Sequence, residues 1–185
     1  AMAREAEHLR NEGTNPYVIP IGGSSPLGAL GYVRAMREIA EQLGPDDRAP
    51  LVLTAVGSAA TVAGCALGLR LFLPEAQLLG ISVSRKAKPL RKIAAALAAE
   101  TARLLGVAEE FRPEDIVIRD EFYGDFYGVP TEAGNEAVIL AARTEGLILD
   151  PVYTGKAMSG LISLAQSGQI DSDRTTIFIH TGGGP

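Results

Sequence analysis

A turn of small residues between an apolar segment and a helix is the first candidate for chemistry in this sequence. The turn consists of Gly57, Ser58, Ala59, Ala60 and Thr61. Segment 51–56 (LVLTAV) before it predicts a strand buried on both faces. A strand-to-helix turn presents several backbone N–H groups at the positive end of the helix, where a phosphate binds well. The glycine spacing fits neither the dinucleotide fingerprint nor the Walker loop, so the alternative of a well-capped helix stays open.

Aromatic residues form the second group of candidates. Segment 120–130 holds four of the ten Phe and Tyr residues of the chain, namely Phe122, Tyr123, Phe126 and Tyr127. Tyrosine hydroxyls placed over the end of a strand could transfer protons to and from a substrate. A lid that packs on the core would equally explain the phenylalanines. The sequence leaves both interpretations open.

Other reactive residue types have simpler interpretations. Lys156, in the segment DPVYTGK (150–156), falls in the first turn of a predicted helix and is expected to face solvent. Cys65 lies in an apolar helical segment and predicts a buried, unreactive thiol. His180 ends a predicted buried strand and is expected to be structural. Segment 22–25 (GGSS) could bind an anion but more simply predicts a turn and a helix cap, and the basic cluster at 85–92 predicts a solvated helix entry.

Composition limits the classes of protein. The chain has 185 residues, 46% of them hydrophobic and 21% charged, with a formal net charge of −5, which excludes disorder and argues against nucleic-acid binding. One cysteine excludes an internal disulfide framework and favours a cytoplasmic location. Two distant histidines make a metal site improbable, so none is predicted. No apolar run reaches the roughly 18 residues of a membrane span, and no membrane association is predicted.

Apolar runs and helical patterns alternate along the chain. Strands are predicted at 17–21, 51–56, 78–83, 114–119 and 176–180, with helices at 3–12, 27–43, up to 72, up to 105, 131–145 and 156–166. This rhythm predicts an α/β fold with three layers, in which a mostly parallel, twisted sheet carries helices on both faces. Ligands of such sheets bind at the carboxyl ends of the strands. The small-residue and aromatic turns all follow strands, so we expect them to gather at that edge.

Six segments together resemble one enzyme family. They are GGSSPLGALGYV (22–33), AVGSAAT (55–61), GISVSR (80–85), YGVPTEAG (127–134), LDPVYTGKAMSGL (149–161) and IHTGGGP (179–185). In this order they resemble the C-terminal part of the D-cysteine desulfhydrase and 1-aminocyclopropane-1-carboxylate deaminase family. These are pyridoxal-phosphate enzymes of fold type II, related to the tryptophan synthase β subunit. The resemblance extends over nearly the whole chain and implies the large, cofactor-binding domain of that fold.

The resemblance also implies roles for individual residues. The turn 57–61 matches the loop that holds the cofactor phosphate, and Tyr127 and Tyr153 match two active-site tyrosines. Thr154 matches the position that meets the pyridine nitrogen, which is glutamate in the deaminase, and we expect its hydroxyl to favour a neutral ring. Thr181 matches a position that is leucine in the deaminase. Both differences imply the desulfhydrase branch, which converts D-cysteine to pyruvate, ammonia and hydrogen sulfide; a deaminase or a cysteate sulfo-lyase is the alternative.

One departure from the family affects the expected activity. The Schiff-base lysine of the family lies in an N-terminal motif, and none of the four lysines here has that context. We therefore interpret 1–14 as a terminal helix left from the small domain and 15–185 as the large cofactor-binding domain. Alone, the chain is expected to be inactive, and a non-catalytic module that binds a phosphate ligand is a further alternative. The resemblance implies a small amino-acid substrate and a homodimer.

Overall fold

Four parallel strands form one sheet in the order β3-β2-β1-β4. Their bounds are β1 Leu51–Val56, β2 Gln77–Ser82, β3 Ile118–Arg119 and β4 Thr176–Ile179. Leu51 of β1 pairs with Gln77 of β2 on one side and with Thr176 of β4 on the other. The structure is a computed structural model, and it describes residues 2–44, 47 and 49–184.

Helices cover both faces of this sheet. Their bounds are α1 Met2–Asn11, α2 Pro26–Gln42, α3 Ala60–Phe72, α4 Ala87–Leu105, α5 Glu132–Glu145 and α6 Thr154–Gln166. Alternate residues of β1 point to opposite faces: Val52 and Val56 pack with α2, α3 and α4, whereas Leu53 and Ala55 pack with α6. All six residues of β1 are buried, which explains its continuous apolar sequence. The predicted three-layer α/β class is confirmed.

Side-chain caps fix the starts of two helices that follow turns. The Ser25 hydroxyl accepts a hydrogen bond from the Gly28 amide at 3.1 Å and begins α2, and Thr131 caps α5 in the same way through Gly134 at 3.0 Å. The interpretation of 22–25 as a turn and a cap is therefore confirmed. The Ser24 hydroxyl also donates to the carbonyl of Ser58 at 2.9 Å, which ties this turn to the turn after β1.

Two predicted strands differ from the structure. Segment 17–21 is not a strand: it pairs with no strand in the described part of the chain, and Ile21–Gly23 forms a 3₁₀ turn. Pro20 lacks the N–H that a sheet ladder requires, which opposes strand pairing there. In segment 114–119 only Ile118–Arg119 pairs with β2, because Pro113–Asp115 forms a 3₁₀ turn whose Asp115 carboxylate accepts from the Arg112 amide at 2.9 Å.

The N-terminal helix α1 contributes little to the hydrophobic core. In α1 only Ala6 is buried. Its charged, exposed surface is compatible with the expectation that 1–14 is the last helix of a second domain, which stays a prediction. Within the residues described, no helix is both long enough and apolar enough to cross a membrane.

Candidate functional site

A cavity of about 880 Å³ opens at the carboxyl ends of β1, β2 and β4. Seven of the nine site residues predicted from the sequence line it: Gly57, Ser58, Thr61, Tyr127, Tyr153, Thr154 and Thr181. The other two, Ala59 and Ala60, lie in the same turn as Gly57 and are buried beneath the cavity surface. The parallel sheet thus brings residues from four separate segments to one edge, as the order of strands and turns predicts.

The turn after β1 supplies unpaired backbone donors. Ala59 adopts the left-handed conformation with φ 80° and ψ −4°, and α3 begins at the next residue. Among the described residues, the amides of Ser58 to Thr61 meet no hydrogen-bond acceptor of the protein. Unpaired amides at a helix N-terminus attract an anion because both the N–H groups and the helix dipole favour negative charge. This turn can therefore hold a phosphate.

The strained alanine in this turn gives a direct prediction. An alanine in the left-handed region is less stable than a glycine there by about 1 kcal/mol, because its Cβ approaches the carbonyl oxygen. We expect Ala59→Gly to raise the free energy of unfolding by about 0.5 kcal/mol in urea titrations, after the entropic disadvantage of glycine. The control Ala99→Gly, inside α4, should lower the same free energy by about 1 kcal/mol. A destabilised Ala59→Gly variant would show that the turn is not strained.

Tyr153 lies against the same turn. Its hydroxyl oxygen accepts a hydrogen bond from the Gly57 amide at 3.1 Å. Burial raises the pKa of Tyr153, and the neighbouring hydroxyls of Tyr127 and Tyr32 and the Asp150 carboxylate raise it further, although the Gly57 amide opposes them. The phenol is therefore protonated at neutral pH. Within the described chain no acceptor takes that proton, so Tyr153 can donate it to a group in the cavity.

Asp150 organises the start of α6 and orients Thr154. Its carboxylate accepts from the amides of Val152 (2.9 Å), Tyr153 (2.6 Å) and Thr154 (2.9 Å). The Thr154 hydroxyl donates to the same carboxylate at 2.7 Å and accepts from the Asp150 amide at 3.0 Å. Burial opposes ionisation of this carboxyl, but the hydrogen bonds outweigh burial and hold the pKa of Asp150 below its usual value.

This arrangement changes what Thr154 offers to the cavity. Because the Thr154 hydroxyl donates its proton to the Asp150 carboxylate, it has only a lone pair left to offer to a ligand. The expectation that this hydroxyl favours a neutral pyridine ring assumes that it donates to the ring nitrogen. The geometry does not support that expectation, since a lone pair favours a protonated nitrogen instead.

The aromatic segment 120–130 combines both interpretations given above. Phe122 packs into the core beside Ile81 and Leu161. Tyr127, in contrast, is 62% exposed and lines the cavity. The segment is thus anchored at one end by a core phenylalanine and presents a tyrosine hydroxyl at the other.

The last segment reaches the cavity after β4. A Cβ added to Gly183 would lie 1.8 Å from the carbonyl oxygen of Ile148, so only glycine fits this approach. The His180 ring nitrogen Nε2 lies 3.0 Å from the same carbonyl oxygen. This contact is compatible with a structural role for His180, which stays a prediction. The strand β4 before it is half-buried rather than buried, and His180 itself is exposed. Together these contacts place Thr181 at the cavity wall.

Two further expectations have opposite outcomes. Cys65 is fully buried and burial raises the pKa of its thiol to about 12, which confirms an unreactive cysteine. The expectation that Lys156 faces solvent is wrong: this lysine is fully buried. A Cβ added to Gly134 would lie 3.6 Å from Cγ of Lys156, an ordinary contact distance, so the lysine stem packs against α5.

Seven of the residues that line the cavity were not predicted as site residues: Ile21, Gly22, Tyr32, Ser84, Arg85, Asp150 and Gly182. Asp150 lies shortly before the helix predicted at 156–166, and its spacing before Thr154 is the signal that could have revealed the cap. Arg85 was assigned to the solvated basic cluster; it is exposed and also borders the cavity. Tyr32 comes from α2, where nothing in the sequence distinguishes it from a core residue. None of the four lysines, all of which the structure describes, lines this cavity.

The comparisons with known proteins agree with this fold. A family model described as "Pyridoxal-phosphate dependent enzyme" matches residues 1–182, and the chain belongs to this family. The cofactor that this family implies is pyridoxal 5'-phosphate. The residues fit it: the unpaired amides of Ser58 to Thr61 suit its phosphate, and the cavity beyond them is large enough for its ring.

Individual relatives show which enzymes of this family the chain is similar to. The D-cysteine desulfhydrase of Yersinia enterocolitica serotype O:8 is 44% identical over 184 residues, which is 100% of this chain and 55% of that protein. The D-cysteine desulfhydrase of Salmonella paratyphi B is 44% identical over 97% of this chain and 54% of its own length. A crystal structure described as an ACC deaminase homologue has a TM-score of 0.86 and 41% identity over 98% of this chain and 53% of its own. The chain therefore spans about half the length of these relatives.

Proposed function

We propose that this chain supplies the cofactor-binding part of an enzyme that eliminates the thiol of D-cysteine, giving pyruvate, ammonia and hydrogen sulfide. One observation carries the proposal: an unpaired amide turn, two tyrosines and two threonines meet at one cavity. The chain that folds this way is 44% identical over its whole length to a D-cysteine desulfhydrase. The reaction needs the α-proton removed and the β-sulfur released, and Tyr153 offers the proton that the leaving sulfur takes up.

We assign the cofactor to two sets of residues. The amides of Ser58 to Thr61, with the two hydroxyls of that turn, bind the phosphate. Thr154, held by Asp150, meets the ring nitrogen with a lone pair. Thr181 lines the cavity on the β4 side. When bound, pyridoxal phosphate supplies an electron sink for the substrate's α-carbon.

The two tyrosines are assigned to proton transfer. Tyr153 keeps its proton at neutral pH and is oriented by the Gly57 amide, so it can donate to the leaving sulfur or to the substrate. Tyr127 is more exposed and reaches the cavity from segment 120–130, where its hydroxyl can contact the substrate amine. Position 154 is threonine where the deaminase has glutamate, and position 181 is threonine where it has leucine. It is this resemblance to the desulfhydrase branch that favours D-cysteine over 1-aminocyclopropane-1-carboxylate.

Cofactor binding is tested on the chain itself. We expect Thr61→Val to weaken binding of pyridoxal phosphate about tenfold in a fluorescence titration, since it removes one hydroxyl donor from the phosphate turn. Thr144→Val removes a hydroxyl from the exposed face of α5 and should leave the affinity unchanged. Competition by inorganic phosphate should follow the same pattern. If both variants bind like the wild type, the turn 57–61 is not the phosphate site.

The substrate is tested with the full product of the gene that encodes this chain. We expect sulfide and pyruvate in equal amounts from D-cysteine. D-cysteate and 1-aminocyclopropane-1-carboxylate serve as parallel substrates, read by sulfite and by 2-oxobutanoate. Turnover of either one in preference to D-cysteine would identify the alternative enzyme. Cofactor binding without turnover of any of the three would favour a non-catalytic module.

Assembly and location are proposals of the same kind. We propose a homodimer, because α5 presents Ile139 and Leu140, each about half-exposed, beside a groove shared with α6. Light scattering at micromolar concentration tests it, and a monomer mass would contradict it. A cytoplasmic location is proposed from the single buried cysteine.

A further inference from the structure

Lys156 is buried without a charged partner. Its relative exposure is 0%, and it lies in the first turn of α6. No carboxylate pairs with it anywhere in the described chain. Burial lowers its pKa, and a cation near a helix N-terminus is also disfavoured by the helix dipole. A methionine would fill this space at lower energetic cost. The presence of an amine here therefore requires a specific use of its N–H donors.

Those donors bind the aromatic segment 120–130. The Lys156 amine donates to the carbonyl of Tyr123 at 2.7 Å and to the carbonyl of Phe126 at 3.3 Å. The second carbonyl belongs to the residue just before Tyr127. The Phe126 and Tyr127 side chains are both largely exposed, so packing does little to fix this part of the segment.

Polar contacts that do not involve Lys156 hold the other end of the segment, where the Asp120 carboxylate accepts from the Ala87 amide at 2.6 Å. The 73% exposed Lys86 lies 3.8 Å from Asp120, and its amine is 5.8 Å from the centre of the Tyr123 ring. Exposed ion pairs contribute little to stability. The buried bonds of Lys156 are thus the strongest polar contacts that hold the Tyr127 side of the segment.

We propose that Lys156 is a positioning residue for Tyr127. Its buried amine links the start of α6, which carries Tyr153 and Thr154, to the segment that carries Tyr127. These hydrogen bonds hold the two tyrosines at a fixed separation across the cavity. The role of Tyr127 in catalysis rests on the proposed function, whereas the link made by Lys156 does not.

The test compares Lys156→Met with the exposed control Lys88→Met. In hydrogen–deuterium exchange, we expect Lys156→Met to speed exchange of amides 121–129 roughly tenfold or more, because buried charge-assisted hydrogen bonds are lost. Amides of β1 should exchange as in the wild type. With 3-fluorotyrosine incorporated, the ¹⁹F resonance of Tyr127, assigned through Tyr127→Phe, should shift and sharpen while that of the distant Tyr17 stays fixed. Lys88→Met should change neither measurement.

A measurement on the wild type covers the case in which Lys156→Met does not fold. We expect acetic anhydride to label Lys156 at the rate at which amides 121–129 open, slower than Lys86, Lys88 and Lys92 but faster than global unfolding. Labelling that follows only global unfolding, or exchange that rises equally in 121–129 and in β1, would overturn the proposal and leave Lys156 a core residue. These readouts need neither cofactor nor substrate, so they are independent of the D-cysteine assay.

Discussion

Asp150→Ala is expected to lower the free energy of unfolding by roughly 3 kcal/mol, because it removes the acceptor of four hydrogen bonds at the start of α6. Three of these donors are backbone amides in a partly buried site, where water replaces the carboxylate poorly. The measurement is urea unfolding at pH 7. Asp171→Ala is the matched control, since Asp171 is exposed and accepts one amide bond at 3.0 Å, and it should cost less than about 1 kcal/mol.

The pH dependence of the free energy of unfolding tests the contribution of the Asp150 carboxylate in a second way. The pKa of Asp150 is lower in the folded chain than in the unfolded chain, where a carboxyl of this type has a pKa of about 3.9. The Asp150 carboxylate therefore contributes to stability above the pKa of the unfolded chain. That contribution is lost as the pH falls through the pKa of the folded chain. The wild type should therefore lose more stability than Asp150→Asn between about pH 5 and acid pH. Parallel pH profiles for the two proteins would show that the Asp150 carboxylate does not stabilise the fold through its charge.

Gly57→Val is expected to weaken binding of pyridoxal phosphate by roughly two orders of magnitude. A Cβ on Gly57 would lie 2.9 Å from Cε2 and 3.0 Å from the hydroxyl oxygen of Tyr153, so the ring must move away. The Gly57 amide then loses its tyrosine acceptor, and the turn 57–61 loses its present position. Overpacking of this kind typically costs about 1–3 kcal/mol, and two orders of magnitude in affinity correspond to about 2.8 kcal/mol.

Gly31→Val is the control for that substitution. Apart from its chain neighbours and the backbone of its own helix, no atom of the described residues lies within 4 Å of a Cβ added to Gly31 on α2, so valine has room there. Fluorescence titration should give the wild-type affinity for Gly31→Val, and thermal unfolding should show a lowered Tm for Gly57→Val alone. Wild-type affinity in Gly57→Val would mean that neither the turn nor the Tyr153 ring takes part in cofactor binding.

Sequence pattern predicted the buried elements well because periodicity and burial are directly linked. The continuous apolar run 51–56 became the central strand β1, and the small-residue turn after it became the cavity floor. Segment 17–21 has a similar apolar run, but exposed residues and Pro20 keep it out of the sheet. Apolar sequence alone does not reveal whether a partner strand is present.

The polar interior was harder to predict, because it depends on contacts between distant segments. Lys156 meets its acceptors 33 and 30 positions earlier in the chain, and no local rule distinguishes it from a solvated lysine. Tyr32 reaches the cavity only because α2 packs along α3. Asp150, in contrast, makes local bonds to Val152, Tyr153 and Thr154, and its spacing before Thr154 is a sequence signal that predicts such a cap.

Pairing of β1 with β4 joins segments from opposite halves of the sequence, since Leu51 lies beside Thr176. The entropy of closing so long a loop must be overcome before Thr181 can reach the turn 57–61, and contacts of this kind slow folding. The cavity is therefore completed only when the whole chain is in place. A ligand that binds this cavity binds only the folded state. The cofactor concentration should therefore shift the folding equilibrium towards the folded chain by mass action. In a cell, cofactor supply would then govern how much of this chain survives proteolysis.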